Sequence, residues 1–298
     1  MEIVRILPFA LAAALVGCQT ARRPAPDTLI AHRGESADAP ENTLPAFRMA
    51  VDRGFGFECD LYLSSDGRVF AFHDRDLSRT TGGANTNRCA DVSWSETLSK
   101  LDVGSWGRWA DSRYRGTPPA LLEDILALAR PGRKIYLELK AGPEIVPAVK
   151  EVLAAQDRAT PDTVLFISFS EEVCRAVKEQ LPAYRVYWLT GSDGMTAGKA
   201  VAGARAAQAD GVDMKFDPDL VTEAFVSEVK GAGLSFHVWT VNDLALALRA
   251  FAVGADTVTT DCAKRLYDEY RALFEHETPE RDPFADRIRD GAAFPTLR

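Results

Sequence analysis

Seven polar residues carry the chemistry this chain could perform. His32 and Arg33 are adjacent, Glu58 and Asp60 are one residue apart, as are Glu138 and Lys140, and His73 lies between those two pairs. Imidazole changes charge near neutral pH, so His32 and His73 suit general acid and base work. Glu58, Asp60 and Glu138 are hard oxygen donors, fit for Mg²⁺ or Ca²⁺ and not for zinc. Arg33 can hold two oxygens of a phosphate at once, and Lys140 adds a point charge. Cation, guanidinium, ammonium and two proton carriers together are equipment for displacement at phosphorus. The same residues could instead form an internal salt-bridge network, Glu138 with Lys140 and Glu58 with Arg33, and the spacing leaves both readings open.

The elements that must position them are legible as an alternation. Strands are expected at Thr28–His32, Phe57–Leu63, Val69–His73, Lys134–Lys140, Val164–Phe169, Val186–Leu189, Gly211–Lys215, Phe236–Thr240 and Thr257–Thr260. Helical patterns fall between most of them, at Thr43–Arg53, Leu121–Ala129, Glu144–Ala155, Glu171–Leu181, Met195–Ala207, Asp219–Gly231 and Asn242–Val253. Asn42 or Thr43 caps the first, and Gly54, Gly231 and Gly254 are placed as C-terminal caps. Strand–helix repetition means parallel strands joined by helical crossovers, and this number of strands fits a closed (β/α)8 barrel better than an open sheet. Side chains alternate along a strand, so Glu58 and Asp60 share one face and Glu138 and Lys140 another. Charges in otherwise apolar strands are costly unless they face a polar cavity, and the C-terminal mouth of a barrel is such a cavity.

Two irregularities interrupt the pattern. Only Ser64-Ser65-Asp66-Gly67-Arg68 separates Leu63 from Val69. Parallel neighbours need a crossover of about a dozen residues, and Asp-Gly signals a hairpin, so Val69–His73 should run back antiparallel to Phe57–Leu63. Residues 75–119 contain no barrel unit but hold Trp94, Trp106 and Trp109. They are expected to form a small insertion over the mouth.

Bulk properties exclude little beyond nucleic acid. The 298 residues are 46% hydrophobic and 26% charged, enough for a large core, and the net charge of −8 comes with no basic run. The first seventeen residues have the form of an export signal, with Arg5 ahead of the apolar run Ile6–Val16. That run is shorter than the roughly 20 residues of a membrane span. Leu15-Val16-Gly17-Cys18 resembles the bacterial lipoprotein signal, in which the cysteine becomes the acylated first residue. Lipidation at Cys18 would attach the protein to the cell envelope. Gln19 points to the outer membrane facing the periplasm; a protein without the anchor would be periplasmic or secreted. Residues 18–27 then read as a tether, 28–270 as the barrel and 271–298 as a C-terminal extension. Cys59, Cys89, Cys174 and Cys262 show neither a disulfide framework nor zinc spacing, and read as small buried residues with at most one bridge.

Taken in order, the motifs carry a family resemblance. They are Ala31-His32-Arg33-Gly34, Pro40-Glu41-Asn42-Thr43, Glu58-Cys59-Asp60, Asp66-Gly67, His73-Asp74, Leu137-Glu138-Leu139-Lys140, Val238-Trp239-Thr240-Val241-Asn242 and Thr260-Asp261. Over residues 28–266 the chain resembles the glycerophosphodiester phosphodiesterases. The resemblance implies a distorted TIM barrel of the phospholipase C-like phosphodiesterase type, with an insertion after the second histidine. It implies His32 and His73 as the acid–base pair, and one divalent cation, Ca²⁺ or Mg²⁺, on Glu58, Asp60 and Glu138. Arg33 and Lys140 would bind phosphate, Glu41 would stand beside the site, and Trp239 would line the glycerol side or simply pack in the core. His237 has no role in the family and is expected in the core. Asp261-Cys262-Ala263 departs from the family, which has an aromatic residue and a proline after the aspartate, so the mouth and the leaving-group preference should differ.

The implied reaction is hydrolysis of a small glycerophosphodiester to sn-glycerol 3-phosphate and an alcohol, through a cyclic phosphate formed by the glycerol 2-hydroxyl. Alternatives are a phosphodiesterase of intact lipid, a glycosidase using Glu58 and Glu138, and a surface lipoprotein that binds ligands without catalysis.

Overall fold

The computed structural model of the protein describes residues 22–274. The export signal, Cys18 and the extension beyond residue 274 lie outside the described residues. Among those described, no helix is long and apolar enough to cross a membrane.

Eight parallel strands close into a barrel. In chain order these are β1 (Leu29–Ala31), β2 (Gly56–Leu63), β4 (Ile135–Leu139), β5 (Val164–Ser168), β6 (Val186–Thr190), β7 (Gly211–Lys215), β8 (Ser235–Trp239) and β9 (Thr257–Thr260). Each pairs with the next, and β9 returns to β1, with Leu29 opposite Val258 and Ala31 opposite Thr260. The remaining strand, β3 (Val69–Ala71), is the antiparallel return expected from the short loop: Leu61 faces Ala71 and Leu63 faces Val69. Gly67 makes the turn with a φ of +79°, the left-handed region that glycine enters without steric cost. On one edge of β2 the carbonyl of Asp60 accepts from Phe72 N–H, and on the other the carbonyl of Leu61 accepts from Lys140 N–H. This doubled pairing holds the segment carrying Glu58 and Asp60 from both sides.

Helices α1 (Leu44–Asp52), α2 (Leu122–Leu126), α3 (Ile145–Ala154), α4 (Glu171–Gln180), α5 (Ala197–Ala206), α6 (Glu223–Gly231), α7 (Leu244–Ala252) and α8 (Ala263–Phe274) surround the barrel. Several begin later than the apolar pattern suggests because side-chain caps set their first turns: Thr196, Thr222 and Asp243 accept from the backbone N–H three residues on. Thr43, not Asn42, caps α1. Gly54 and Gly254 take the left-handed conformation after their helices, but Gly231 is still helical and Gly233 does this for α6. Helix α8 was not foreseen; its charge-rich sequence has a low mean hydrophobic content, yet Leu266 and Tyr270 bury one stripe against the barrel. The end of the expected tether, residues 26 and 27, forms a turn with Thr28 against the barrel, where Thr28 Oγ1 donates to Arg23 O at 2.5 Å.

Alternation along the strands divides the core. Outward-facing Phe57, Cys59, Leu61 and Leu137 pack beneath the helices, whereas Ile30, Tyr136, Leu165, Ile167, Tyr187 and Leu189 fill the interior. His237 belongs to that interior: its nitrogens meet Thr257 Oγ1 at 2.7 Å and Ser235 Oγ at 3.0 Å, and its ring stacks on Tyr187. Cys59, Cys89, Cys174 and Cys262 are all free and buried, so no bridge forms among them.

The insertion is ordered by a core of its own. Phe70 and Phe72 gather Leu77, Cys89, Val92, Leu98 and Val103, with Trp94 packed against them. The Asp66 carboxylate accepts from Trp94 N–H at 2.7 Å and Ser93 Oγ at 2.8 Å, tying the hairpin turn to the insertion. Phe70 is fully buried at the junction. Replacing it with alanine should therefore cost about 3–5 kcal/mol, measured by urea unfolding; a loss below about 1 kcal/mol would contradict the packing described.

Candidate active site

The site is built where β1, β2 and β4 end. Glu58, Asp60 and Glu138 point into the barrel mouth, and one oxygen from each can be chosen so that all lie within 4.8 Å of one another. All three are buried. Burial and the adjacent charges of Asp60 and Glu138 push the Glu58 carboxyl well above its ordinary range. Burial and Asp60 likewise push Glu138 up, to about 8. Asp60 goes the other way. Burial opposes its charge, but Arg33 and Lys140 overcome this and hold it well below the usual carboxylate range.

The basic residues reach the cluster as a network. Lys140 Nζ lies 2.8 Å from Glu138 Oε1 and 3.1 Å from Asp60 Oδ1. The Arg33 side chain pairs with Asp60 Oδ2 at 3.2 Å and Glu41 Oε1 at 3.0 Å. The expected Glu58–Arg33 contact exists through the backbone instead, Arg33 N–H donating to Glu58 Oε2 at 2.9 Å. This is possible because Arg33 has a φ of +56° and is followed by Gly34 at +80°. A Cβ at Gly34 would stand 2.6 Å from the backbone of Ala46, so only glycine lets this turn lie on α1.

A cation fits this donor set. Glu58 Oε1 is buried without a hydrogen-bond partner among the described residues, and three clustered carboxylates beside Arg33 and Lys140 remain short of positive charge. An all-oxygen set of this kind matches Mg²⁺ or Ca²⁺.

Both histidines are oriented the same way. His32 Nδ1 lies 2.7 Å from Asp261 Oδ1, and His73 Nδ1 lies 2.7 Å from Asp74 Oδ1. A carboxylate on Nδ1 fixes the tautomer and leaves Nε2 to work; His32 Nε2 is 3.9 Å from Glu58 Oε2. Burial, with the nearby charges of Arg33 and Lys140, lowers the His73 pKa despite Asp60 and Asp74. Asp261 is itself held down to about 2: burial raises it, but the bonds from His32, Asn242 and Ser36 outweigh that.

A cavity of about 170 Å³ opens above the cluster. Its polar wall includes His32, His73, Glu138 and Lys140, and its other wall includes Trp239 and Phe169, whose rings meet edge to face at 5.7 Å. Trp239 thus both packs on the interior cluster and faces the cavity. A second basin, lined by Ser36, Arg108, Asn242, Cys262 and Arg265, adjoins it across His32 and Arg33. The departure at Cys262 falls on this second basin.

The seven residues singled out from the sequence are brought together, as are Glu41 and Trp239. Glu41 has a position not anticipated: its two oxygens accept from Arg33 and from Arg79 of the insertion, which also pairs with Asp74. Burial resists its ionisation, but those arginines keep it below the ordinary range. Four contributors went unassigned in the sequence. Asp261 and Asp74 sit in motifs, yet nothing in spacing reveals which atom they hold. Arg79 comes from a loop and gave no signal. Asn42 looked like a helix cap; in fact its amide nitrogen donates to Asp60 Oδ2 at 2.7 Å and its oxygen accepts from Asp60 N–H at 3.1 Å. Its φ of +56° is a conformation in which asparagine is enriched.

Residues 32–264 match the model of the glycerophosphoryl diester phosphodiesterase family. YhdW of Bacillus subtilis is 30% identical over 237 residues, which cover 78% of this chain and 93% of that protein. A glycerophosphodiester phosphodiesterase of Caldanaerobacter subterraneus is 28% identical, over 82% of this chain and 97% of its own. Among solved structures, a phosphodiesterase of Oleispira antarctica in complex with the product sn-glycerol-3-phosphate superposes with a TM-score of 0.70 at 28% identity, covering 81% of this chain and 95% of that one.

Asn42 grips a candidate metal ligand from behind, so Asn42→Ala should weaken cation affinity or activity by about 10–100-fold. Asn42→Gly, which tolerates the same backbone conformation, should show the same loss in a cation titration; full recovery in the glycine variant would place the effect in the backbone and not in the amide.

Proposed function

The chain belongs to the glycerophosphoryl diester phosphodiesterase family, and we propose that it hydrolyses glycerophosphodiesters to sn-glycerol 3-phosphate and an alcohol. The observation that carries this reading is the pair of imidazoles, each with Nδ1 on a carboxylate at 2.7 Å, beside one clustered set of carboxylates. A structure related in sequence and fold holds sn-glycerol-3-phosphate as its product, which supports the substrate class.

Glu58, Asp60 and Glu138 would hold the divalent cation, Ca²⁺ or Mg²⁺, which when bound supplies positive charge for the phosphate oxygens and acidifies a hydroxyl group. The protein's own groups do the rest. Arg33 and Lys140 bind and orient the phosphate, with Glu41 and Asp60 fixing Arg33 in place. One histidine takes the proton of the glycerol 2-hydroxyl as that oxygen attacks phosphorus. The other donates a proton to the departing alcohol, closing a cyclic phosphate. Water then opens the ring with the two roles reversed. Asp261 and Asp74 keep each Nε2 facing the reacting atoms and stabilise the imidazolium form. Trp239 lines the side taken by glycerol, and the basin beyond His32 takes the leaving alcohol.

Cleavage of intact lipid finds little support in this surface. Among the described residues the exposed large apolar side chains are Phe169, Leu246 and Leu273, far apart in sequence and on separate elements, and not the amphipathic face that lipid binding uses.

His32→Ala and His73→Ala should each lower turnover of glycerophosphocholine by at least about 100-fold, followed as release of glycerol 3-phosphate. Chelation should abolish the reaction and phosphatidylcholine should not be cleaved. Near-normal turnover in either variant would end the assignment, and release of glycerol 3-phosphate that survives chelation would contradict the cation's part in it.

A further inference from the structure

Asp213 has no part in the machinery described above, yet it lines the same cavity. It lies on β7, between Leu189 of β6 and His237 of β8 in register, and is 1% exposed. Its Oδ1 is buried and has no hydrogen-bond partner among the described residues. The neighbours do not offer one. His237 is engaged by Thr257 and Ser235, Leu189 and Ile167 are apolar, and the Trp239 indole N–H donates to the Asp213 backbone carbonyl at 3.1 Å. Loss of water alone pushes the Asp213 carboxyl up to about 8. Burial thus favours the neutral acid form, which can donate as well as accept a hydrogen bond. Buried polar atoms in folded proteins are nearly always paired. One left unpaired in the wall of a substrate cavity has its partner supplied by what enters the cavity.

The proposed reaction determines which part of the substrate that is. Phosphate and the 2-hydroxyl are directed to the histidines, Arg33, Lys140 and the carboxylate cluster. With the phosphate and the 2-hydroxyl so held, the remaining carbon of glycerol and its free primary hydroxyl would meet the wall that includes Ile167, Leu189, Trp239 and Asp213. The cavity of about 170 Å³ is small beside the roughly 300–1,000 Å³ of drug-sized sites, a size that suits a three-carbon polyol. We propose that Asp213 recognises the free terminal hydroxyl of the glycerol unit and so sets the enzyme's preference for glycerol over diols that lack it. This deepens, and rests on, the glycerophosphodiesterase reading above.

A site built to pair with a hydroxyl rejects the analogue that lacks it, because its own polar group is then left unpaired. The test compares glycerophosphocholine with the phosphocholine diester of propane-1,2-diol, which keeps the 2-hydroxyl but lacks the terminal one. Wild-type protein should prefer the glycerol diester by about 10–100-fold in kcat/KM, the effect of one buried polar group left unpaired, expressed chiefly in KM because the contact exists before and during reaction. In Asp213→Leu the preference should collapse toward one; in Asp213→Asn, whose amide still donates, most of it should remain. A folded Asp213→Leu variant that keeps the wild-type preference overturns the inference. So does a wild-type protein that cleaves both diesters equally well, which decides the matter even if the leucine variant does not fold. Cleavage of neither diester by the wild type would instead bring down the underlying hydrolase reading.

Discussion

Like charges brought together in a low-dielectric interior are the constraint from which the rest of this structure follows. Glu58, Asp60 and Glu138 converge within 4.8 Å at the mouth of a barrel, and no arrangement of apolar neighbours could make that stable. Two basic side chains offset part of the repulsion, and both touch Asp60, which is why that carboxyl alone is held fully ionised while its two neighbours are pushed up. The unpaired oxygen of Glu58 marks where further positive charge belongs. A stability-minded sequence would not keep such a cluster, so its presence is a functional statement.

The same charges explain how distant parts of the chain are joined. From Asp60 a line of ion pairs runs through Arg33, Glu41 and Arg79 to Asp74, and Asp74 orients His73. Arg79 belongs to the insertion, and its guanidinium also lies 4.8 Å from the Trp106 ring centroid. The insertion is thus a support for the second histidine, and through Arg108 it also lines the second basin. On the other side, Asp261 at the end of β9 orients His32 and accepts from Asn242. The two histidines are braced by carboxylates from different parts of the chain, Asp74 just before the insertion and Asp261 after β9.

Much of this could be read from the sequence, for a physical reason. Side chains in a strand alternate strictly, so charges two apart in apolar runs declared the inward face of β2 and β4 before any coordinates. The Asp66-Gly67 loop was too short for a crossover, and the antiparallel return followed. What stayed hidden depends on contacts that spacing does not encode. Asn42 was indistinguishable from a cap until its backbone conformation and its grip on Asp60 were seen. Arg79 acts from a loop, Asp213 looked like any residue of a buried strand, and α8 was masked by its charge-rich sequence. Salt bridges and a cation do not exclude each other here: Lys140 pairs with Glu138 and Asp60, while one Glu58 oxygen remains without a partner among the described residues.

Titrating Ca²⁺ or Mg²⁺ into chelator-treated protein, with heat and thermal unfolding followed together, decides whether the carboxylate cluster is a divalent-cation site. One cation should bind per chain, with stabilisation of about 2.7 kcal/mol at one hundred times the dissociation constant, and both effects should be lost in Asp60→Ala. No binding of either ion, or binding unchanged by that substitution, would contradict that assignment.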